Sequence, residues 1–349
     1  MTSDGGRKRR IRGIAATAAI AVVLSALLTG CDEVGRFGDW AVGSVTRAVA
    51  LTSLANGLRA VDGVVSADYQ DVPGSYPVVT VFDVLMADRD PEAWDAVAAA
   101  IATGAGDPAI TSGTLRVVIH DADSVSVTTD GLGSVEALVA RLEDLLSLGE
   151  ALGVPVQGSS SAGELWVVVA VEPNAAAVVL SDASVRARLD AILARPGVSL
   201  SFPGFGVGRG LPGGVVDLYA EAAELGLVQP CGEDGCELLP ESVELDWAGS
   251  ALDIQILSER GFGDPSPAVL ALLGAAADLE GIRGGVQYTD SSRTAVTNVG
   301  VGWPSVGFAL GGCSDLVPLE EDRVEWAEEL RTALAEHGLV IPADRFGWC

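Results

Sequence analysis

The stretch YPVVTVFDVLMADRDPEAWDAVAAAIATG, residues 76–104, decides the predicted fold. Its first part is rich in β-branched and aromatic residues, which is typical of a strand. Asp90 is a good helix N-cap, Pro91 suits the first helical position and Glu92 complements the helix dipole. GTLRVVIHD, residues 113–121, again has strand character. The segment therefore predicts strand, helix, strand.

Working outward, the same order of elements occurs twice. SVTRAVAL is predicted as a strand, TSLANGLRAVDG as a short helix, and VVSADYQ as a strand before the opening stretch. Further on come SVSVTTD, a helix capped by Ser134, VPVQGS, GELWVVVAVE, a helix around Leu189 and GVSLSF. Each half reads βαββαβ.

This order resembles the ferredoxin-like split βαβ unit. The resemblance implies an α+β fold class, with repeated ferredoxin-like βαββαβ modules whose antiparallel sheets are packed by helices. Two tandem modules, or one sheet merging both, are expected over residues 44–203. The glycine-rich segment 204–214 is the predicted boundary, and residues 215–349 form a predicted C-terminal α+β domain.

The amino terminus has the pattern of an export signal. Five basic residues precede an apolar run from Ile14 to Leu28, which is shorter than the roughly 20 residues that span a bilayer. Leu28-Thr29-Gly30-Cys31 then resembles the lipobox of bacterial lipoproteins. An uncleaved signal anchor with an incidental cysteine is the alternative, and a twin-arginine signal at Arg9-Arg10 is poorly matched.

The resemblance implies that residues 1–30 are a signal peptide and that Cys31 receives a diacylglycerol. Two acyl chains, such as palmitate, hold a protein on a membrane where one chain is marginal. Residues 31–43 are predicted to be a short tether. The expected location is therefore the extracytoplasmic face of the cell membrane, with a lipid anchor. The rest of the chain resembles no specific functional family.

Composition restricts the partners. Residues 31–349 keep 16 of the 21 basic and 47 of the 48 acidic residues, a net charge of −31. Such a surface repels phosphate backbones, which excludes nucleic acid as a partner. Apolar residues make up 49% of the chain, enough for a sizeable core.

Four cysteines follow Cys31 and allow three pairings. The expected disulfides are Cys231–Cys236, which closes a short loop, and Cys313–Cys349, which fastens the last residue. Metal ligation competes with this interpretation, but the spacing is not CxxC and no histidine lies nearby in the sequence. Disulfides also fit an exported protein.

No catalytic constellation stands out in the sequence. His120 ends a strand beside Asp121, an arrangement that can orient a general base, but no partner nucleophile is evident. GSSSAG lacks the second glycine of a nucleophile elbow, and the 204–214 glycines lack the G-K-[ST] ending of a phosphate loop. The seven tryptophans are interpreted as core anchors.

Two acidic clusters are the remaining candidates for a metal. One is Asp88, Asp90, Glu92 and Asp95, and the other is Asp121 with Asp123. Val125 occupies the third ligand position of an EF-hand-like pattern, so that motif fails. A weak calcium site stays open as an alternative, but no metal or cofactor is predicted.

These observations lead to one functional hypothesis and two alternatives. The first is a non-catalytic binding or scaffolding role at the cell envelope, with an envelope protein or a small ligand as partner. The second is a solute or small-molecule receptor with its ligand site between the two halves and segment 204–214 as hinge. An enzyme is the third and is not expected.

Overall fold

The fold is taken from a computed structural model. The structure describes residues 33–72, 75, 79–110, 114–121, 125–130, 135–161, 164–229, 231–232, 235–236, 239–297, 300–310 and 316–348. The predicted signal peptide, Cys31, Asp123, Ser134, Cys313 and Cys349 lie outside these ranges.

Eight α-helices lie in the described part of the chain. They are α1 (Glu33–Arg59), α2 (Pro91–Ala105), α3 (Val135–Leu152), α4 (Pro173–Ser181), α5 (Ala183–Leu193), α6 (Gly213–Glu224), α7 (Pro267–Ala277) and α8 (Val324–Glu336). Short 3-10 turns occupy Glu321–Arg323 and Ala343–Arg345.

Twelve strands form one sheet, in the order β1-β2-β3-β4-β5-β6-β7-β8-β11-β12-β13-β16. They are β1 (Val64–Asp71), β2 (Val79–Met86), β3 (Thr114–His120), β4 (Val125–Asp130), β5 (Val156–Ser161), β6 (Glu164–Val169), β7 (Val198–Phe202), β8 (Phe205–Val207), β11 (Glu241–Trp247), β12 (Ala251–Ser258), β13 (Arg283–Asp290) and β16 (Ser305–Leu310). Three two-stranded pairs complete the set: β9 (Cys231–Gly232) with β10 (Gly235–Cys236), β14 (Ala295–Thr297) with β15 (Gly300–Gly302), and β17 (Val317–Pro318) with β18 (Gly347–Trp348).

The predicted fold class is wrong. The fold is α/β with a single mixed sheet, and it does not contain repeated ferredoxin-like antiparallel modules. Each antiparallel hairpin is followed by a helix, and the next hairpin adds in parallel beside it. Strands joined by a helix are thus direct neighbours, whereas the ferredoxin-like arrangement inserts another strand between them. The element order fits both topologies, so it did not decide between them.

The hairpin-and-helix unit repeats at a nearly constant interval. Strands β3, β5, β7, β11 and β13 begin at residues 114, 156, 198, 241 and 283, so successive units are 42 or 43 residues apart.

Segment 204–214 belongs to this array. It contains the β7–β8 turn at Gly204, strand β8 and the connection to α6 at Gly213. The sheet continues through it from β7 to β8 to β11.

The helices pack on one face of the sheet. Helix α1 contacts α2, α2 contacts α3, α3 contacts α5, α4 contacts both α5 and α6, and α6 contacts α7. Alternate strand residues point into this layer, as in β6, where Leu165, Val167 and Val169 are buried. Helix α2 contributes Trp94 and Val97 to the same core. The other face of the sheet carries the alternate, more exposed residues.

Local signals were informative at the start of α2. Helix α2 begins at Pro91 as predicted, and the Asp90 carboxylate accepts a hydrogen bond from the Glu92 amide at 3.2 Å. One element was predicted wrongly: SVTRAVAL, residues 44–51, is part of helix α1 and not a strand. Leu51, Leu54 and Leu58 of this helix are buried at helical spacing.

Candidate functional site

The face of the sheet opposite the helices is the largest candidate site, and we call it the open face. It consists of the outward-pointing side chains of the strands from β1 to β13, because the corresponding residue of β16, Ala309, is only 3% exposed. One row of registered partners crosses the whole sheet from Ser66 on β1 to Ala309 on β16. Its central members are Val168, Ser201, Gly206, Asp246, Asp253 and Gly285. Most of these side chains are small or polar, so the open face is a broad surface of low relief.

Three hollows lie on the open face. The first, of about 540 Å³, lies over β1 to β5 and includes Asp83, His120 and Gln157. The second, of about 420 Å³, lies between Trp166 on β6 and Asp246 on β11. The third, of about 520 Å³, lies over β11 to β13. These volumes fall within the range of small-ligand sites.

We call the second hollow the central groove. Ser199 and Ser201 on β7 and Gly206 on β8 form its floor. Because two strands with small residues separate the strands that bear Trp166 and Asp246, the two sides are three strand spacings, or roughly 14 Å, apart. The groove is thus open along its length and bounded by one aromatic side and one acidic side, and Arg209, which follows β8, also contributes to its lining.

The aromatic side of the central groove is Trp166. Its side chain is 65% exposed, whereas Trp94 and Trp247 are buried. Its registered neighbours are Ser159 on β5 and Ser199 on β7, neither of which can cover an indole ring. The interpretation of the tryptophans as core anchors is therefore right for Trp94 and Trp247 and wrong for Trp166 and for Trp303, which is 56% exposed.

The acidic side consists of Glu244 and Asp246 on β11, and Asp253 on β12 lies beside it, outside the lining of the groove. Asp246 and Asp253 are registered partners on antiparallel strands. Desolvation by burial raises the pKa of Asp253, and the charge of Asp246 raises it further. Within the described residues, no cationic side chain forms an ion pair with these three carboxylates.

Gly206 makes room for one of these carboxylates. An added Cβ at Gly206 would collide with Oδ1 of Asp246, because the Asp246 side chain leans over the β8 backbone. Asp246 thereby extends into the central groove. A glycine at this position thus shapes the acidic side of the groove.

His120 lies in the first hollow, and each nitrogen of its ring contacts an oxygen atom. Its Nε2 is 2.7 Å from Oδ1 of Asp83, and its Nδ1 is 3.1 Å from the carbonyl oxygen of Asp121. Ser126 is its registered neighbour on β4. Both ring nitrogens thus lie within hydrogen-bond distance of oxygens other than the Ser126 hydroxyl.

Three members of the two acidic clusters, Asp88, Asp90 and Asp121, are engaged in local structure. Asp90 caps α2, and Oδ1 of Asp88 accepts a hydrogen bond from the Asp90 amide at 3.0 Å. Asp121 forms an ion pair with Arg89 at 2.7 Å. In the ranges that the structure covers, no group of three or more potential ligands is placed to hold a metal ion.

The 204–214 segment is fastened to its neighbours. The Gly210 amide donates to Oδ1 of Asp190 at 2.6 Å, and Nε1 of Trp247 donates to the Arg209 carbonyl at 3.1 Å. A Cβ at Gly208 would collide with the carbonyl oxygen of Trp247. These contacts and the continuous sheet are not the arrangement expected of an interdomain hinge.

The structure bears on the predicted disulfides only through the backbone positions of two cysteines. Cys231 and Cys236 are registered partners in the β9–β10 pair. Their side chains, with Cys313 and Cys349, lie outside the described part, so both disulfides stay predictions. Helix α1 begins two residues after Cys31, where a tether was expected.

Sequence reasoning missed the central groove. The available signal was Trp166 in GELWVVVAVE, where it alternates with buried residues of β6 and therefore lies on the polar side of the strand.

None of the helices in the described ranges is both long and apolar enough to cross a membrane. Comparison with protein-family models, with curated proteins and with solved structures finds no match for this chain.

Proposed function

We propose that this protein is a non-catalytic binding or scaffolding protein of the cell envelope, anchored on the extracytoplasmic face of the membrane through acyl chains on Cys31. The open face of the sheet is the binding surface, and an envelope protein is the partner. The observation that carries this proposal is the twelve-stranded sheet, which the helices of the described ranges cover on one face only.

Three exposed apolar side chains on or beside the open face support a binding function. Trp166 and Val168 on β6 are 65% and 47% exposed, although apolar side chains usually gain from burial. Trp303, beside the third hollow, is 56% exposed. Exposed tryptophan is among the residues enriched where proteins bind one another. The helical layer supplies the stability, and the open face is left for recognition.

The position of α1 supports close attachment to the membrane. The helix begins at Glu33, and its Leu51 and Leu54 pack into the core. Between Glu33 and Leu51 it extends for roughly 27 Å at 1.5 Å per residue. A lipid on Cys31 therefore connects to the folded part through a helix, which sets a defined distance from the bilayer.

The engagement of His120 supports a role without catalysis. Its two ring nitrogens contact Oδ1 of Asp83 and the main-chain carbonyl oxygen of Asp121, while Asp90 caps α2 and the Asp121 carboxylate pairs with Arg89. A general base must lie within hydrogen-bond reach of the proton that it takes, and in the described part of the chain neither nitrogen is hydrogen-bonded to the Ser126 hydroxyl.

A small-molecule receptor is the second candidate. The first hollow, of about 540 Å³, favours it, because Asp68, Gln70 and Gln157 give it a polar lining. Native mass spectrometry of protein purified without detergent tests it. A retained small molecule, lost on replacing Gln157 by Ala, supports the receptor, and a mass equal to that of the acylated chain alone excludes it.

Photo-crosslinking in intact cells tests the main proposal. A photoreactive residue replaces Gln157 on the open face in one variant and Glu224 on the exposed side of α6 in another. We expect a discrete adduct with an envelope protein from position 157 and none from position 224. Equal yields from both positions, or none from either, contradict the proposal.

Anchoring is tested separately. Cys31→Ala removes the acceptor of the lipid, so we expect the protein to leave the membrane fraction. Mass analysis of the natural product is expected to find an acylated Cys31 as first residue. An intact amino terminus at Met1 contradicts the anchor.

A further inference from the structure

We infer that the central groove binds arginine and lysine side chains of a basic polypeptide partner. The inference rests on the proposed function and names the chemistry of its partner. It is drawn from the exposed ring of Trp166 and from the two carboxylates of Glu244 and Asp246, which outnumber the one cationic side chain in the lining of the groove, Arg209.

The aromatic side attracts cations. A guanidinium or ammonium group over the face of an indole gains electrostatic energy from the ring quadrupole, and tryptophan is the best of the aromatic residues for this. Trp166 is 65% exposed and lies between two serines, so its ring is accessible to a partner.

The acidic side attracts the same groups. Glu244, Asp246 and Asp253 have no ion-pair partner in the described part of the chain, although Asp246 and Asp253 face each other across two strands. Like charges in this position destabilise a sheet. A cation between them turns the repulsion into attraction, and the lean of Asp246 over Gly206 brings its carboxylate to the groove.

The net charge of the whole molecule also favours a basic partner. With a net charge of −31 over residues 31–349, the protein attracts basic molecules and repels acidic ones. Such complementarity mainly raises association rates and selects partners. The groove adds specific contacts to this general attraction.

A polypeptide fits better than a small cation because the binding surface continues beyond the groove. Glu244 and Gln255 line both the central groove and the third hollow, which also contains Gln287 and Thr289. Amide and hydroxyl side chains pair with peptide groups. A chain that lies across both hollows places cationic side chains in the groove and its backbone near these residues.

The experiment uses the full-length mature protein in non-ionic detergent and a fluorescein-labelled decapeptide of alternating arginine and glycine. Fluorescence anisotropy measures its dissociation constant. We expect Asp246→Asn with Asp253→Asn to weaken binding by about tenfold or more, as for the loss of one strong charged contact. Trp166→Ala is expected to weaken it by about fivefold, and Trp166→Phe to restore part of the loss.

Two control variants match these changes on the helical layer. Asp217→Asn with Glu224→Gln removes the same charge from exposed positions of α6, and Val178→Ala shortens an exposed apolar side chain of α4. We expect each to change the dissociation constant by less than about twofold. An equal loss in the charge control shows that the attraction is non-specific and overturns the inference. Thermal unfolding of every variant confirms that the fold is retained.

Two competitors decide the class of partner. If spermidine binds as tightly as the decapeptide, the polypeptide assignment is wrong. If a neutral oligosaccharide binds in a manner that depends on Trp166 and the decapeptide does not bind, the cationic assignment is wrong. Crosslinks from position 157 in cells, obtained without binding of the decapeptide, overturn this inference alone and leave the proposed function standing.

Discussion

Asp246 and Asp253 face each other directly across the antiparallel strands β11 and β12, on the open face of the sheet. Burial raises the pKa of Asp253, and the neighbouring charge of Asp246 raises it further. Because the folded-state pKa of Asp253 lies above its ordinary value of 3.8, stability falls as the pH rises through the interval between the two values, and it stays lower above that interval.

Asp253→Asn is therefore expected to stabilise the protein at pH 7. The replacement removes a like-charge pair, so the free energy of unfolding should rise by about 0.5 kcal/mol. At pH 3, where Asp253 is largely protonated in both states, the gain should disappear. Urea denaturation at both pH values measures the difference. Asp217→Asn, on the exposed side of α6, serves as control, and a lower stability of Asp253→Asn at pH 7 contradicts this account.

Asp144→Ala is expected to destabilise the protein by about 3 kcal/mol. Asp144 on α3 is buried, accepts a hydrogen bond from Nη1 of Arg141 at 2.9 Å, and forms an ion pair with Arg195 after α5. Removal of the carboxylate takes one ion-pair partner from Arg141, which is only 15% exposed, and one from Arg195. Chemical denaturation measures the loss. Glu143→Ala on the exposed side of the same helix should stay within about 0.5 kcal/mol, and a similar loss there would falsify the interpretation.

Gly284→Ala and Gly274→Ala are expected to act in opposite directions. A Cβ at Gly284 on β13 would collide with the main-chain carbonyl oxygen of Leu252 on β12, so the strands must separate at a cost of about 3 kcal/mol. A Cβ at Gly274 in α7 meets nothing within 4 Å, and alanine should add about 0.5–1 kcal/mol through its helix propensity. Thermal unfolding compares the two. Losses of equal size contradict the role assigned to Gly284.

Cys231→Ser is expected to lower the stability of the oxidised protein by about 2 kcal/mol, as for a disulfide that closes a short loop. The registered pairing of Cys231 with Cys236 supports this expectation. Under reducing conditions the variant and the natural chain should unfold alike. Thiol titration of the unfolded natural protein gives an independent check, because free thiols at these positions rule out the bond.

Many individual elements could be predicted from the sequence, because their signals are local. The strand alternation of β2 and the Asp90-Pro91 start of α2 depend on a few neighbouring residues. Residues 44–51 were wrongly predicted as a strand because valines in an eight-residue window fit a strand and a helix equally well. Only the continuation to Leu54 and Leu58 shows the helical spacing.

The order of the strands could not be predicted in the same way. Whether β3 pairs directly with β2 or leaves space for another strand depends on contacts between distant segments. The regular spacing of strand starts is present in the sequence, but successive copies share a pattern of apolar residues and few identical letters. Period analysis is the method that detects such arrays.

The central groove was out of reach for a related reason. Trp94 and Trp166 both occur within apolar stretches, yet one is buried and the other is 65% exposed. Which face of a strand is covered depends on where the helices pack. The sequence therefore predicted the strand β6 but not the accessibility of its tryptophan.

The constant spacing of the hairpin-and-helix units has an evolutionary consequence. A unit contacts mainly the units before and after it, so gene duplication or deletion of one copy changes the breadth of the molecule without rebuilding the rest. Only the first and last copies must differ, since each has one side without a neighbour. Natural selection can therefore widen or narrow the sheet by whole units of about 42 residues.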